Sequence, residues 1–317
     1  MSVVLALAPA AVLLVLIYKA DSADKEPWGL ILKCLGFGAL FTIPICIIEV
    51  VADAFFAKTF DPNGVTYLFL STLLGVALVE EFFKMLAGLI PTWKNDNFNY
   101  VFDGIVYCVA AALGYAALEN ILYVCLSDPA DMLDIALVRA LMSVPSHMVD
   151  GILMGVFVGY AKLYKYQGKT ARMKQFLVFA LLAPMAEHCA FDFLASIDSN
   201  AASLMLIGLV VAEYVVAFVI VLKTRGKNDT PIPLPQPDPA TAPGQMGNPS
   251  APTSPIAPQQ PPLPQQAVQP AANPTVAAAS SATVTNAQPQ KVCNFCPECG
   301  TKLAKPSKFC PECGTKL

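Results

Sequence analysis

The first 225 residues alternate between long apolar stretches and short polar connections. Each stretch is close to the roughly 20 residues that a helix needs to cross a bilayer. The pattern therefore predicts an all-α, polytopic membrane protein with about seven transmembrane helices. The first stretch is the weakest, because it is short and contains Pro9. The predicted spans are 2–18, 29–52, 66–91, 101–126, 133–161, 175–197 and 202–222.

Basic residues gather in particular connections of this pattern. The connection between the fifth and sixth spans, residues 162–174, carries five Lys or Arg, and residues 223–227 carry three more. The loops at 127–131 and 198–201 contain none, and Lys58 is the one exception to the pattern. Because cytoplasmic loops are enriched in Lys and Arg, we expect the N-terminus outside the cell and the C-terminus in the cytoplasm.

Composition separates the chain into three parts. It has 317 residues, of which 56% are hydrophobic and 14% charged, whereas soluble domains carry about 25% charged residues. The net charge of −3 gives no indication of a nucleic-acid partner. Residues 231–290 hold 16 prolines and one charged residue, which is typical of disordered linkers. The predicted domains are a helical bundle at 1–225, a disordered linker at 226–290 and a cysteine-rich module at 291–317.

The cysteine-rich module contains a repeat. Phe-Cys-Pro-Glu-Cys-Gly-Thr-Lys-Leu occurs at 295–303 and again at 309–317. Two C-x₂-C pairs can hold one tetrahedral zinc ion, and a cytoplasmic location disfavours disulfides. Cys293 lies outside the repeat and is interpreted as a spare thiol. The sequence predicts a zinc ribbon with structural zinc bound by Cys296, Cys299, Cys310 and Cys313.

Charged residues inside the predicted spans are informative, because a charge at the bilayer centre costs about 3 kcal/mol. Glu80, Glu81 and Lys84 fall within five positions of the third span. Lysine can neutralise a carboxylate one helical turn away, which leaves the other carboxylate for proton chemistry. A purely structural ion pair is the alternative interpretation.

Both histidines of the chain lie inside predicted spans and near carboxylates. His188 and Asp192 are one helical turn apart, so the carboxylate can fix the imidazole tautomer. We expect the charged groups to face one internal cavity instead of lipid. Glu49 and Glu213 have no companion motif and are interpreted as packing groups. The candidate catalytic residues are Glu80, Glu81, Glu119, His147 and His188, with Lys84, Asn120, Arg139 and Asp192 as supporting residues.

Three motifs occur in order on separate predicted helices. Glu80 to Lys84 matches EExxK, Tyr115 to Glu119 resembles FxxxE with Tyr in place of Phe, and His188 to Asp192 matches HxxxD. Together they resemble the PrsW family of intramembrane proteases, part of the superfamily that contains the CAAX prenyl endopeptidases. The resemblance covers about residues 29–223.

The resemblance implies an endopeptidase of a bacterial or archaeal cell membrane that hydrolyses a peptide bond inside the bilayer. It assigns water activation to Glu80 and Glu81, with the choice between them open. His147 and His188 then either stabilise the oxyanion or bind a catalytic zinc, and both alternatives stand. The implied substrate is a single-span membrane protein such as an anti-sigma factor. The ribbon is expected to recognise a cytoplasmic protein partner or to regulate cleavage.

Two other functions use the same buried groups. A non-hydrolytic transporter or a scaffold could employ the Glu and His cluster to bind protons or metal ions. A transporter predicts inverted repeats with broken helices, and the sequence shows no such internal similarity. The protease is therefore the leading hypothesis.

Overall fold

A computed structural model describes residues 2–234, and this part of the chain is built from α-helices. The predicted zinc-ribbon cysteines and most of the predicted linker lie outside the described residues. The helices are α1 (Ser2–Ala20), α2 (Trp28–Thr59), α3 (Val65–Leu70), α4 (Leu78–Thr92), α5 (Val101–Leu126), α6 (Met132–Leu141), α7 (Ser143–Tyr166), α8 (Thr170–Ala195) and α9 (Asn200–Thr224).

Within residues 2–234, six helical stretches are long and apolar enough to cross a membrane, which confirms the all-α membrane fold. They are α1, α2, α5, α6 together with α7, α8 and α9. The third predicted span is divided by a π-helical turn, Ser71–Ala77, between α3 and α4. Such turns insert an extra residue into a helix and occur frequently at functional sites. This one immediately precedes the helix that carries the paired glutamates.

Helix α5 forms the centre of the bundle. In the most apolar 18 residues of α5, 89% of the residues are buried, whereas 17% are buried in the corresponding stretch of α9. A helix that is apolar on all sides can face either other helices or lipid, and α5 packs against the helices α1, α2, α4 and α7. Gly155 and Gly159 of α7 lie directly against the α5 backbone, where a Cβ atom would overlap. Small residues thus allow the two helices to approach closely.

The fifth predicted span is not one continuous helix. The chain breaks at Met142, with φ −120° and ψ −68°, so that α6 ends there and α7 begins. Pro145 has no N–H with which to bond the Leu141 carbonyl, and proline is tolerated in a first helical turn. The Tyr214 hydroxyl donates to that carbonyl instead, at 2.6 Å. The span predicted at 133–161 is thus one membrane-crossing stretch, Met132–Tyr166, whose helix is interrupted at Met142.

Residues 226–234, predicted as the start of the linker, pack against the first turn of α5. The N–H groups of Val101 and Phe102 donate to the Thr230 carbonyl at 3.0 Å and to Asp229 Oδ1 at 3.1 Å. These contacts satisfy N–H groups that have no partner within a helix. The boundary predicted at residue 226 therefore falls too early, because residues up to 234 contact the bundle.

Candidate active site

A cavity of about 570 Å³ lies among α2, the π-helical turn, α4, α5, α6, α7 and α8. Both histidines border it, as do Tyr115 and Arg139. Polar lining inside apolar helices is unexpected unless the groups have a function. The carboxylates that border the cavity are Glu49, Glu80, Glu119, Asp150, Glu187 and Asp192.

The Lys84 ammonium lies where several of these groups converge. Its Nζ is 2.7 Å from Glu81 Oε1, 2.9 Å from Glu80 Oε2 and 3.0 Å from His147 Nδ1, and the side chain is fully buried. The Tyr115 ring centroid lies 4.5 Å away, a favourable cation–π distance. An ammonium has three N–H donors and no acceptor, so His147 Nδ1 must accept. The proton of a neutral His147 is then on Nε2.

His147 is held from its other side by Glu119. The Nε2 atom lies 3.1 Å from Glu119 Oε2, and the guanidinium of Arg139 binds the same carboxylate oxygen. Arg139 Nε also donates to Asn120 Oδ1 at 2.7 Å. This chain of contacts joins α5, α6 and α7. The charge of Glu119 is thereby balanced by Arg139, which lies on α6 just before the break at Met142.

Both nitrogens of His188 face carboxylate oxygens. Nδ1 is 2.8 Å from Glu81 Oε1, Nε2 is 3.2 Å from Asp192 Oδ2, and Nε2 lies 3.7 Å from Glu80 Oε2. The Nδ1 contact with Glu81 has the geometry of a hydrogen bond, whereas the Nε2 contact with Asp192 is an ion pair. The structure therefore places the Asp192 carboxylate beside His188, and its supporting role stays a prediction. His188 and His147 meet edge to face, with ring centroids 5.5 Å apart.

Glu80 and Glu81 occupy different positions although they are adjacent in sequence. Glu80 borders the cavity, whereas Glu81 does not and is fully buried. Glu81 Oε1 bridges Lys84 and His188, at 2.7 and 2.8 Å. The geometry thus distinguishes a buried carboxylate that borders the cavity from one that bridges Lys84 and His188, a distinction that the EExxK motif alone does not contain.

The structure also adds residues that the sequence analysis did not place in the site. Asp150 Oδ2 lies 3.7 Å from His147 Nδ1 and 3.9 Å from His188 Nδ1. Glu49 borders the cavity, and Glu213 accepts a hydrogen bond from the Ser146 hydroxyl, so neither only fills space between helices. The spacing of Asp150, three residues after His147, is the signal that could have identified it.

A catalytic metal can be tested against these contacts. Glu80, His147 and His188 each offer one ligand atom, and these atoms lie within 4.8 Å of one another. A glutamate and two histidines are a known zinc set. However, Lys84 Nζ already contacts Glu80 Oε2 and His147 Nδ1. His147 Nδ1 is the nitrogen left for coordination when Nε2–H donates to Glu119. The residues as arranged therefore do not fit a zinc ion.

The fold and the site define a class of multi-pass membrane enzymes whose Glu and His groups lie within the helices. The chain belongs to the PrsW family, because residues 26–223 match the family described as PrsW family intramembrane metalloprotease. Residues 295–317 match a zinc-ribbon domain.

Named relatives agree with the family match. Protease PrsW of Oceanobacillus iheyensis is 33% identical over 188 residues, which cover 59% of this chain and 80% of the relative. Protease PrsW of Bacillus subtilis is 31% identical over 194 residues, 61% of this chain and 82% of the relative. The Clostridioides difficile protein of the same name is 30% identical over 207 residues, which cover 65% of this chain and 84% of the relative. No solved structure matches the chain.

These matches confirm the predicted class of protein. The chain is a multi-pass intramembrane peptidase with a zinc-ribbon domain, and its substrates are membrane proteins. The transporter and scaffold alternatives are not favoured.

Proposed function

We propose that the protein is an endopeptidase that cuts a single-span membrane protein, with Glu80 as the general base. The observation that carries this proposal is the contrast between the two adjacent glutamates. Glu80 borders the cavity, where water and a peptide could meet it, and Glu81 lies behind it. A general base must reach the proton that it removes, and this requirement favours Glu80.

The reaction begins with a water molecule between Glu80 and the scissile carbonyl. Glu80 takes one proton from the water, the water oxygen forms a bond to the carbonyl carbon, and the carbonyl electrons move to its oxygen. The Nε2–H of His188, which lies 3.2 Å from Asp192 Oδ2 without hydrogen-bond geometry, donates to that oxyanion, as preorganised donors do in other hydrolases. The proton on Glu80 then passes to the amide nitrogen as the C–N bond breaks, so that all atoms and charges balance.

Glu81, Lys84 and Asp192 act as positioning residues in this scheme. Glu81 joins Lys84 to His188, and Asp192 holds His188 Nε2. Their contacts fix the His188 ring in one orientation, so its N–H groups need no rearrangement during the reaction. Glu81 thus acts through its neighbours and not on the water itself.

His147 also borders the cavity, and Glu119, Asn120 and Arg139 hold it in place. Its Nδ1 accepts from Lys84, and its Nε2–H faces Glu119. The contacts of Arg139 with Glu119 and Asn120 supply the fixed charge and orientation. In this proposal the three side chains preserve the tautomer of His147 instead of touching the substrate.

The proposal extends to topology and to the ribbon. The Lys and Arg residues of the connections favour an N-terminus outside and a ribbon in the cytoplasm. Four thiolates complete a tetrahedral zinc shell and leave no open position for water, so the ribbon has a structural zinc and no part in hydrolysis. A regulatory single-span protein such as an anti-sigma factor is the proposed substrate, and the ribbon recognises a partner or regulates cleavage. The proposed zinc ligands are Cys296, Cys299, Cys310 and Cys313.

Co-expression with a tagged single-span membrane protein tests the proposed function. Cleavage should be lost with Glu80→Gln and with His188→Ala while the amount of membrane-inserted protein stays normal. Asp198→Asn, an exposed acid in the connection between α8 and α9, is the control and should cleave normally. Normal cleavage by both active-site variants would contradict the proposal.

A further inference from the structure

The charged end of Lys84 lies where the side chains of Glu80, Glu81 and His147 converge. Three acceptor atoms lie within 3.0 Å of its Nζ, one each from Glu80, Glu81 and His147. The contacts with Glu81 and His147 are hydrogen bonds, and the contact with Glu80 is an ion pair without hydrogen-bond geometry. The side chain is fully buried, and the aromatic face of Tyr115 lies 4.5 Å from it. The ammonium thus lies among two carboxylates, an imidazole nitrogen and an aromatic face, all of which favour a cation.

We propose that the Lys84 ammonium takes the position that a metal ion would occupy, so that peptide hydrolysis in this protein needs no metal. The inference rests on the proposed function, in which Glu80 activates the water. It differs from the description of the family as metalloproteases and concerns the residues of this chain.

The first argument is competition for the same atoms. Glu80 and His147, two of the three residues that could bind a metal ion, already contact Nζ at 2.9 and 3.0 Å. A histidine nitrogen coordinates a metal through its lone pair, and the lone pair of His147 Nδ1 is engaged with the ammonium. The second possible group, Glu81, Asp150 and His188, meets the same obstacle, because Glu81 Oε1 is 2.7 Å from Nζ.

The second argument is that Lys84 cannot readily leave. It lies on α4 one turn after Glu80 and Glu81, so the helix itself fixes the pairing. A charged side chain withdrawn from this cluster would enter apolar surroundings at high cost. A divalent ion beside a retained ammonium would meet strong repulsion, because the buried site has a low dielectric constant. One cation therefore excludes the other.

Metal content of the full-length protein tests this inference separately from cleavage. The four ribbon cysteines are first replaced by serine, so that any zinc found must come from the bundle. The variants Lys84→Ala and Lys84→Arg are then added to this background. Each protein is equilibrated with zinc in detergent, desalted and analysed by elemental mass spectrometry.

With Lys84 or Lys84→Arg the protein should retain almost no zinc. Lys84→Ala should bind about one zinc per chain, because the ligand atoms of Glu80, His147 and His188 are then free of the ammonium. Stoichiometric zinc with Lys84 present would overturn the inference, as would a folded Lys84→Ala protein that binds none.

If Lys84→Ala does not fold, wild-type cleavage after chelator treatment decides between the two outcomes. Retained cleavage supports the inference, and cleavage that is lost and returns only with added metal overturns it. Failure of Glu80→Gln to abolish cleavage would instead contradict the proposed function.

Discussion

At the scale of single residues, the two adjacent glutamates differ in their surroundings: Glu80 borders the cavity, and Glu81 bridges Lys84 and His188. The types and order of Glu80, Glu81, Lys84, His147 and His188 were enough to predict a buried acid–histidine site. The separation of Glu80 from Glu81, and the tautomer of His147, were not predictable. Both depend on how neighbouring helices are rotated and how deep each one lies, and a motif on one helix does not contain that information.

Lys84 gives a prediction at this scale. Lys84→Met leaves Glu80 and Glu81 adjacent in a buried site without their cation, and removing one partner of a buried ion pair costs roughly 3–5 kcal/mol. Lys84→Arg keeps the charge and should lose less stability and less cleavage. Thermal unfolding in detergent and cleavage of a reconstituted substrate measure the two effects. Equal losses in both variants would indicate a requirement for the shape of lysine instead of its charge.

At the scale of elements, hydrophobic periodicity predicted most of the helices but not their irregularities. The break at Met142 depends on Pro145 and on the distant Tyr214, whose hydroxyl satisfies the Leu141 carbonyl. The π-helical turn at Ser71–Ala77 likewise has no marker in an apolar sequence. Both irregularities border the cavity. They place Arg139 beside Glu119 and set the start of α4.

The close approach of α5 and α7 gives a prediction about helix packing. A Cβ atom on Gly155 would overlap the backbone of Gly104 and Ile105, so Gly155→Ala should force the helices apart and cost about 1–3 kcal/mol. Gly208 of α9 has open space around its Cβ position, and Gly208→Ala is the matched control. Unfolding in detergent should separate the two variants, and equal stability would contradict the packing described here.

The connection between α1 and α2 gives a prediction about pH. Burial, together with the nearby Asp103 carboxylate, raises the pKa of Glu26 to about 10 from an ordinary value of 4.5. The folded protein therefore keeps a proton that the unfolded chain releases above about pH 4.5. The contribution of protonated Glu26 to the free energy of unfolding is full below that pH. It declines as the pH rises toward 10, by up to about 1.4 kcal/mol per pH unit.

Glu26→Gln cannot release this proton, so the stability of the variant should depend less on pH. Unfolding free energies measured between pH 5 and 8 in detergent should fall more steeply for the wild type than for Glu26→Gln. Identical slopes would show that Glu26 is ionised in the folded protein.

At the scale of the whole molecule, composition predicted the division into a membrane bundle, a proline-rich segment and a zinc ribbon. The family match at 26–223 and the ribbon match at 295–317 agree with the bundle and ribbon at the level of domain type. The start of the linker was misplaced, because residues 226–234 have the composition of a linker but bind the N–H groups at the start of α5. Amino-acid composition indicates how much apolar surface a segment can bury, but it does not reveal hydrogen bonds to the backbone of another segment.

Separate roles for the bundle and the ribbon are testable by truncation. Removing residues 291–317 should leave the intrinsic cleavage of a membrane substrate largely intact, because the proposed catalytic groups all lie in the bundle. Substrate choice or regulation should change instead. Loss of cleavage of every substrate by a folded, membrane-inserted truncation would contradict the separation.

The central claim is that Glu80 activates the water that cleaves a membrane protein. Its most direct test is the cleavage rate of a single-span substrate reconstituted with the purified protein in lipid vesicles. Glu80→Gln should lower kcat at least about 100-fold, the range that loss of a general base produces, while the protein unfolds near the wild-type temperature. A folded Glu80→Gln protein that cleaves within about tenfold of the wild-type rate would contradict the account.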